Sequence, residues 1–439
     1  MTDSNDLDRL HDVIGRARRA GADAADATLT DAISVSIARR LGSLEGVERS
    51  EGRDLGLRVF VGKRSAHVSS TDLGANALAD VVERALAMAR AAPEDPYAGL
   101  AEPEDLARAW PDLDLDDPVE PTPERLTALA TAAEDAARAV PGVSNSEGAD
   151  AGWSRHRFAM VASNGFAGTG TGTTTSFGVS VLAGPADAME RDYDHVAVRF
   201  AADLPDPVAL GRGAGERAVR RLGARPMATA KAPIIYDPRV SRGMLSHLAS
   251  AIAGPAIARG TSFLKDKLGQ RVFAAGTRIV DDPHRKRGLR SRPFDREGVA
   301  TTRRAIVEDG VLSTWLLDCR SARQLGQRTT GHAPGGAVAN LYLKPGSATP
   351  AALMADIADG FYVTELIGMG INGVTGDYSR GAVGFRIEQG QLTHPVSEVT
   401  IAGNLREMFR HATPANDLTF RYGVDAPTLR VDGMTVAGR

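Results

Sequence analysis

The stretch Val383–Ile401, VGFRIEQGQLTHPVSEVTI, sets Val383 to Glu388 and Leu392 to Ile401 on either side of Gln389-Gly390. Two β-prone runs joined by so short a glycine-containing turn form an antiparallel ribbon, because a parallel pair needs a crossover of about a dozen residues or more. The pattern recurs along the chain. Thr428–Val431 and Met434–Ala437 flank Asp432-Gly433, Thr302–Val307 and Val311–Leu317 flank Glu308-Asp309-Gly310, and Leu57–Phe60 and Ala66–Val68 flank Gly62-Lys63-Arg64. Each of these is expected to be a hairpin. Between residues 26 and 48 an alternation with Ile33, Val35 and Ile37 on one side predicts a strand pair. Arg157–Ala162, the Asn164-Gly165 turn, Thr173–Ala183 and Tyr193–Ala201 predict an antiparallel meander.

Helical spacing is read over residues 6–20 (Leu7, Leu10, Ile14, Ala17), Ala75–Arg90, Pro207–Leu222 and residues 320–326, and Thr122-Pro123 caps a helix running to about Ala139. Locally paired strands with helices between them make an α+β fold. The expected organisation is an N-terminal mixed α/β-sheet domain over residues 1–227 and a C-terminal domain rich in antiparallel β-sheet over 228–439. A chain of 439 residues suits two or three domains, each with its own core. From Pro93 to Pro121 the sequence turns acidic and proline-rich, which reads as a solvated connection and not as a metal site.

The net charge is only −3, so composition gives no strongly basic face for nucleic acid or an anionic membrane. Six lysines leave 46 of the 52 basic residues as arginine, read as coding bias before function. Met1–Leu10 lacks the basic start and apolar core of a signal peptide, and the longest apolar runs fall short of the roughly 20 residues that span a bilayer. A soluble, cytoplasmic protein is expected. Cys319, the one cysteine, can form no internal disulfide and reads as a buried thiol.

Asp237-Pro238 is a strong helix start, and Val240, Met244, Leu245, Leu248 and Ile252 give the helix one buried face. Its only possible metal ligand is His247, between Ser246 and Ser250. A catalytic zinc takes three protein ligands and a carboxylate to activate water. None of the nine histidines is followed by Glu, and no two lie within one helical turn, so H-E-x-x-H is absent. His247 is therefore expected to be packed at the edge of the apolar stripe. Ser246 and His247 point about 100° apart and form no nucleophile–base pair.

Gly168-Thr169-Gly170-Thr171-Gly172 lacks the following helix and the lysine of a phosphate loop, so a β ribbon is expected there. His284, Arg285, Lys286, Arg287, Arg290 and Arg292 form either a patch for an acidic partner or an exposed loop. Gly376-Asp377-Tyr378-Ser379-Arg380-Gly381 reads as a glycine-bracketed loop, either a plain turn or a binding loop in which Asp377, Tyr378, Ser379 and Arg380 touch substrate or partner.

Several of these segments, in order, resemble one family. Ser262-Phe263-Leu264 with Asp266-Lys267-Leu268-Gly269, Pro293–Gly298, Ile306–Gly310, Thr329-Thr330-Gly331, Gly376–Gly381 and Pro395–Asn404 look like the TldD/PmbA metallopeptidase family, in its PmbA branch, also called TldE. Leu57–Phe60 and the hairpin after it agree, so the resemblance covers nearly the whole chain. It implies a helix at the active face of the C-terminal domain. In the TldD branch, a cytoplasmic zinc peptidase, that helix bears His-Glu-x-x-x-His, with a Cys ligand near the C-terminus; the TldE branch generally lacks them. Counted back from Gly260-Thr261-Ser262, the motif falls on Leu245, Ser246 and Ser250, making 238–253 a degenerate zinc helix, and the stretch from Asn416 to Leu429 holds no Cys.

The resemblance implies a non-catalytic subunit, with no cofactor of its own, that pairs with a zinc-bearing TldD-type subunit and shapes a chamber for unfolded or short peptides. A homodimeric peptide-binding or chaperone-like protein is the alternative. A third reading is a peptidase whose metal site is assembled from distant residues such as His284, His332 and Glu365.

Overall fold

The computed structural model describes residues 3–438. The N-terminal half runs α1 (Asp3–Arg19), β1 (Ala24–Arg40), β2 (Ser43–Val61), β3 (Arg64–Ser70), α2 (Ala75–Ala91), α3 (Pro123–Arg138), β4 (Val143–Ala162), β5 (Ala167–Ala183), β6 (Glu190–Val198) and α4 (Pro207–Arg220). Thr122 and Asp206 accept backbone N–H groups at the starts of α3 and α4, each with proline in the first turn. The six strands form one sheet in the order β3-β2-β1-β4-β5-β6, antiparallel throughout.

Side chains alternate across a strand, so one face of this sheet carries two apolar clusters, separated by a charged band that includes Asp31, Arg53 and Arg155. Ala25, Ala27 and Leu29 of β1 with Ala159 and Val161 of β4 pack under α1 and α2. Val35 and Ile37 with Trp153, Phe177 and Val179 pack under α3 and α4. The opposite face turns toward the C-terminal half. There Phe294 inserts against Phe158 and Phe166 of the β4–β5 hairpin and Trp110 of the acidic connection, with ring centroids 5.8, 4.9 and 4.9 Å away. Gly168 and Gly170 sit in β5, as the ribbon reading expects, and a Cβ on Gly168 would lie 2.8 Å from the Phe294 ring.

The C-terminal half comprises β7 (Ala230–Tyr236), α5 (Pro238–Ala251), α6 (Gly254–Ala258), β8 (Ile279–Asp282), β9 (Arg304–Glu308), β10 (Val311–Leu312), α7 (Cys319–Gln324), β11 (Asn340–Leu343), α8 (Pro350–Met354), β12 (Asp359–Ile371), β13 (Asp377–Glu388), β14 (Gln391–Asn404), α9 (Leu405–Arg410), β15 (Ala412–Pro414), β16 (Val424–Asp425) and β17 (Leu429–Ala437). One sheet has the order β14-β13-β12-β7-β17-β15, and because β14 also pairs with β17, five of its strands close on themselves. A smaller sheet, β10-β9-β8-β11-β16, lies beside it, and α5 buries Met244, Leu245 and Leu248 in the core between them.

Three expectations change, and a fourth is decided between its two readings. Asp432-Gly433 is not a hairpin turn: β17 runs straight through it, and the register against β7 slips between Val431 and Met434. A glycine in the left-handed region, here φ 81° at Gly433, serves a bulge as well as a turn. Residues 377–381 are not a loop but the start of β13, between β12 and β14. The acidic connection is not simply solvated: Asp95, Glu102, Asp105 and Asp114 are held by Arg320, Arg323, Arg328 and Arg287 of the C-terminal half. Of the two readings of the basic run at 284–292, the exposed loop agrees with the structure: Lys286, Arg287 and Arg290 are exposed, while Arg287 also pairs with Asp203, Arg285 lies over the Phe420 ring and Arg292 donates to the Ala337 carbonyl.

Candidate functional site

Where the free face of the N-terminal sheet stands off from the C-terminal half, a cleft of about 940 Å³ opens between them. Its N-terminal wall is set by register. Ala38, Asp150, Gly178 and His195 lie in one row across β1, β4, β5 and β6, and Tyr193 of the next row stands opposite Ser180. A Cβ on Gly178 would come within 3.1 Å of the His195 Cβ and 3.4 Å of the Asp150 Oδ1, so the glycine leaves the gap across which these groups face each other. The C-terminal wall is one face of α5, Arg239, Arg242, Gly243 and Ser246, with Glu365 of β12 and Arg380 of β13.

Charge is arranged in tiers. Burial works against the charge of Asp192, yet Arg239 and Arg217 hold its carboxyl below the usual range. Glu365 accepts from Arg191 at 2.9 Å and Arg221 at 2.7 Å. Asp194 accepts from Arg217 and Arg421 at 2.9 and 2.5 Å. The Arg242 guanidinium lies 4.2 Å from the Tyr422 ring centroid, and Tyr422 in turn leans on His195 at 5.3 Å. Burial, then Arg421 and Arg242, lower the His195 pKa, while burial raises that of Asp150.

Of the binding candidates, Arg380 lines the cleft. Tyr378 is buried, hydrogen-bonded with Tyr236 and edge-on to His247 at 6.0 Å, and burial pushes its hydroxyl up to about 12. Asp377 and Ser379 are exposed, Asp377 accepting from Thr375 at 2.6 Å and Asn404 at 3.0 Å. The four are therefore successive strand residues, and only Arg380 faces the site. His247 is half-buried and pushed down to about 4 by burial and by Arg380. Sequence reading missed Asp150, Gly178, His195, Arg239, Arg242 and Gly243. Only Gly243, an isolated glycine inside a helical pattern, carried a local signal.

Models of the PmbA/TldA metallopeptidase domain 1, central domain and C-terminal domain match residues 25–89, 116–222 and 229–438. Metalloprotease PmbA of Escherichia coli O157:H7 is 38% identical over 421 residues, covering 95% of this chain and 93% of that one. The chain belongs to the PmbA/TldD metallopeptidase family, in its PmbA/TldE branch. A PmbA homolog of Haemophilus influenzae is 36% identical over 429 residues, covering 96% and 94% of the two chains. The crystal structure of a Bacteroides thetaiotaomicron protein, described as a candidate modulator of DNA gyrase, superposes with a TM-score of 0.93 at 28% identity over the full length of both chains. TldE of Thermococcus kodakarensis shares the fold at 20% identity, with a TM-score of 0.84 over 98% of this chain and 100% of that one.

The zinc of TldD-type members of this PmbA/TldD family does not fit the residues found here. Leu245 is 1% exposed and faces the core, away from the cleft. Ser246 lines the cleft and Ser250 is exposed, and a serine hydroxyl is a poor zinc ligand. Cys319 is buried in another part of the fold, its thiol pushed up by burial and by Glu297. The assembled site is not formed either: His332 pairs with Asp281 and Thr330 at 3.2 and 2.8 Å, His284 with Thr301 at 3.2 Å, and Glu365 with two arginines in the cleft. Among the described residues no three His, Cys, Asp or Glu converge as a metal site. No helix among them is long and apolar enough to cross a membrane.

Proposed function

We propose that this chain is the non-catalytic, TldE-type subunit of a cytoplasmic zinc peptidase complex, in which a TldD-type subunit brings the metal and this chain forms part of the peptide chamber. The observation that carries the reading is the cleft face of α5. In the position of a zinc helix it presents Arg239, Arg242, Gly243 and Ser246, with neither an imidazole ligand nor a carboxylate base, over a cavity of about 940 Å³. A cavity of that size, walled by a sheet face and a helix, suits a short extended peptide. At its rim the tip of the β12–β13 ribbon exposes Ile367, Met369 and Val374, Met369 to 87%, and we assign this apolar patch to the partner subunit.

The test is co-expression with a subunit bearing His-Glu-x-x-x-His, followed by zinc analysis and a peptide-hydrolysis assay of each chain alone and of the pair. The expected result is a stable hetero-complex, zinc in the partner and hydrolysis only in the mixture. Stoichiometric zinc and hydrolysis in this chain alone would overturn the proposal. A homodimer that binds peptide and ignores the partner would favour the chaperone-like reading instead.

A further inference from the structure

We propose that Arg242 and Arg380 form a carboxylate-binding subsite in the cleft, which anchors a peptide through its free C-terminus or an acidic side chain. The proposal rests on the peptide-chamber reading and names the chemistry by which that chamber holds its ligand.

Five arginines line the cleft. Three are neutralised: Arg39 by Glu134 and Asp135, Arg191 by Glu365 and Glu147, and Arg239 by Asp192 and Asp237. Arg242 and Arg380 have no carboxylate within ion-pair distance among the described residues. Each is held in place by other means. Arg242 is stacked on Tyr422 and its Nε donates to the Arg239 carbonyl at 3.2 Å; the Arg380 Nε donates to the Ile367 carbonyl at 3.3 Å. A guanidinium has five donors in a fork that matches a carboxylate, so both retain donors for a ligand.

Five carboxylates also line the cleft, and none pairs with Arg242 or Arg380. Glu365 and Asp194 are already paired with other arginines, Glu147 takes the Ser180 hydroxyl at 2.6 Å, burial raises the Asp150 pKa, and Glu45 is exposed to solvent. Both nearby imidazoles, His247 and His195, are held toward their neutral forms, first by burial, with Arg380 adding to the effect on His247 and Arg421 and then Arg242 adding to that on His195. Room for the ligand is built in beside Arg242. Apart from its chain neighbours and the α5 backbone itself, nothing lies within 4 Å of the place a Gly243 Cβ would occupy, so no other element closes over the helix there.

Fluorescence anisotropy on the full chain tests this with three N-terminally labelled short peptides: a neutral sequence ending in a free acid, the same sequence ending in an amide, and the amide with one internal Glu. Charge-assisted hydrogen bonds are about twice as strong as neutral ones, so the acid is expected to bind about tenfold more tightly than the neutral amide, or about 1.4 kcal/mol. Arg242→Gln and Arg380→Gln, each confirmed folded by circular dichroism, are expected to erase that difference. Gly243→Leu leaves both charges and fills the open space, and is expected to weaken all three peptides together. Tight binding of the Glu-containing amide assigns the subsite to acidic side chains as well as to C-termini. Equal affinity for all three peptides overturns the subsite and leaves the peptide chamber standing. No binding of any of them overturns both.

Discussion

Replacing Phe294 with alanine removes the ring by which the C-terminal half grips the N-terminal sheet. Phe294 is 4% exposed and meets three aromatic rings, two from the β4–β5 hairpin and one from the acidic connection. Truncating a buried Phe to Ala costs about 3–5 kcal/mol, most where the site cannot collapse. Collapse is hindered here, because Phe158 is anchored in β4 and the buried Phe166 in the turn that joins β4 to β5. An unfolding entropy of about 2.1 cal/mol/K per residue gives about 0.9 kcal/mol/K for a chain of 439 residues melting as one unit. A loss of about 4 kcal/mol then lowers Tm by about 4 °C. Were the C-terminal half, matched over residues 229–438, to melt alone, the same loss would lower its transition by about 9 °C and split the calorimetric peak. Phe294→Leu keeps most of the volume and is expected to cost less than about 1.5 kcal/mol. Scanning calorimetry of the wild type and both variants decides the matter. A single transition within about 1 °C of wild type for Phe294→Ala would refute the aromatic clasp.

Gly211→Ala in α4 would bring a Cβ to 2.0 Å from the Ala133 carbonyl oxygen of α3, so urea titration is expected to find a loss of about 1–3 kcal/mol despite the better helix propensity of alanine. Gly213→Ala meets only the Arg217 Nη1, at 3.2 Å, on a guanidinium held by Asp192 and Asp194, and is expected to cost less than Gly211→Ala; equal effects at the two sites would count against the packing account. His247, with its folded pKa near 4 and an unfolded value of about 6.5, contributes full stability above pH 6.5 and loses it as pH falls from there through 4, on the order of 3 kcal/mol in all. His247→Gln is expected to flatten that acid limb, and an unchanged limb would remove the imidazole from the account. Installing the motif by Leu245→His, Ser246→Glu and Ser250→His together is expected to bind no zinc and to cost about 2–4 kcal/mol, since position 245 faces the core. Metal analysis returning one zinc per chain would show that the helix turns otherwise.

What could be read from the sequence was what local chemistry decides. Thr122, Asp206 and Asp237 before proline mark the starts of α3, α4 and α5, and Gly62-Lys63 and Gln389-Gly390 mark true hairpins, because cap and turn preferences act within a few residues. Asp432-Gly433 misled because one dipeptide serves two geometries. The glycines bracketing residues 377–380 misled because Gly381 answers to a neighbouring strand: a Cβ there would lie 3.3 Å from the Cβ of Ile367 in β12. The cleft was out of reach for another reason. Ala38, Asp150, Gly178 and His195 become one row only through three successive registers, and no spacing along the chain encodes that. Arg380 was singled out by its neighbourhood in sequence, while Arg242, on the same wall of the cleft, lies on a different element.

The strand order of the N-terminal sheet also governs how the protein is made. β1 lies in its middle, yet its partner β4 begins about 100 residues after β1 ends. At roughly 5–20 residues per second, a nascent chain holds the free edge of β1 open for about 5–20 s before β4 leaves the ribosome. A bare edge is a template for another chain, so this interval is when aggregation competes with folding. The segments 25–89 and 116–222 are separate as sequence families but share one ladder, and expressing either without the other would make that transient edge permanent.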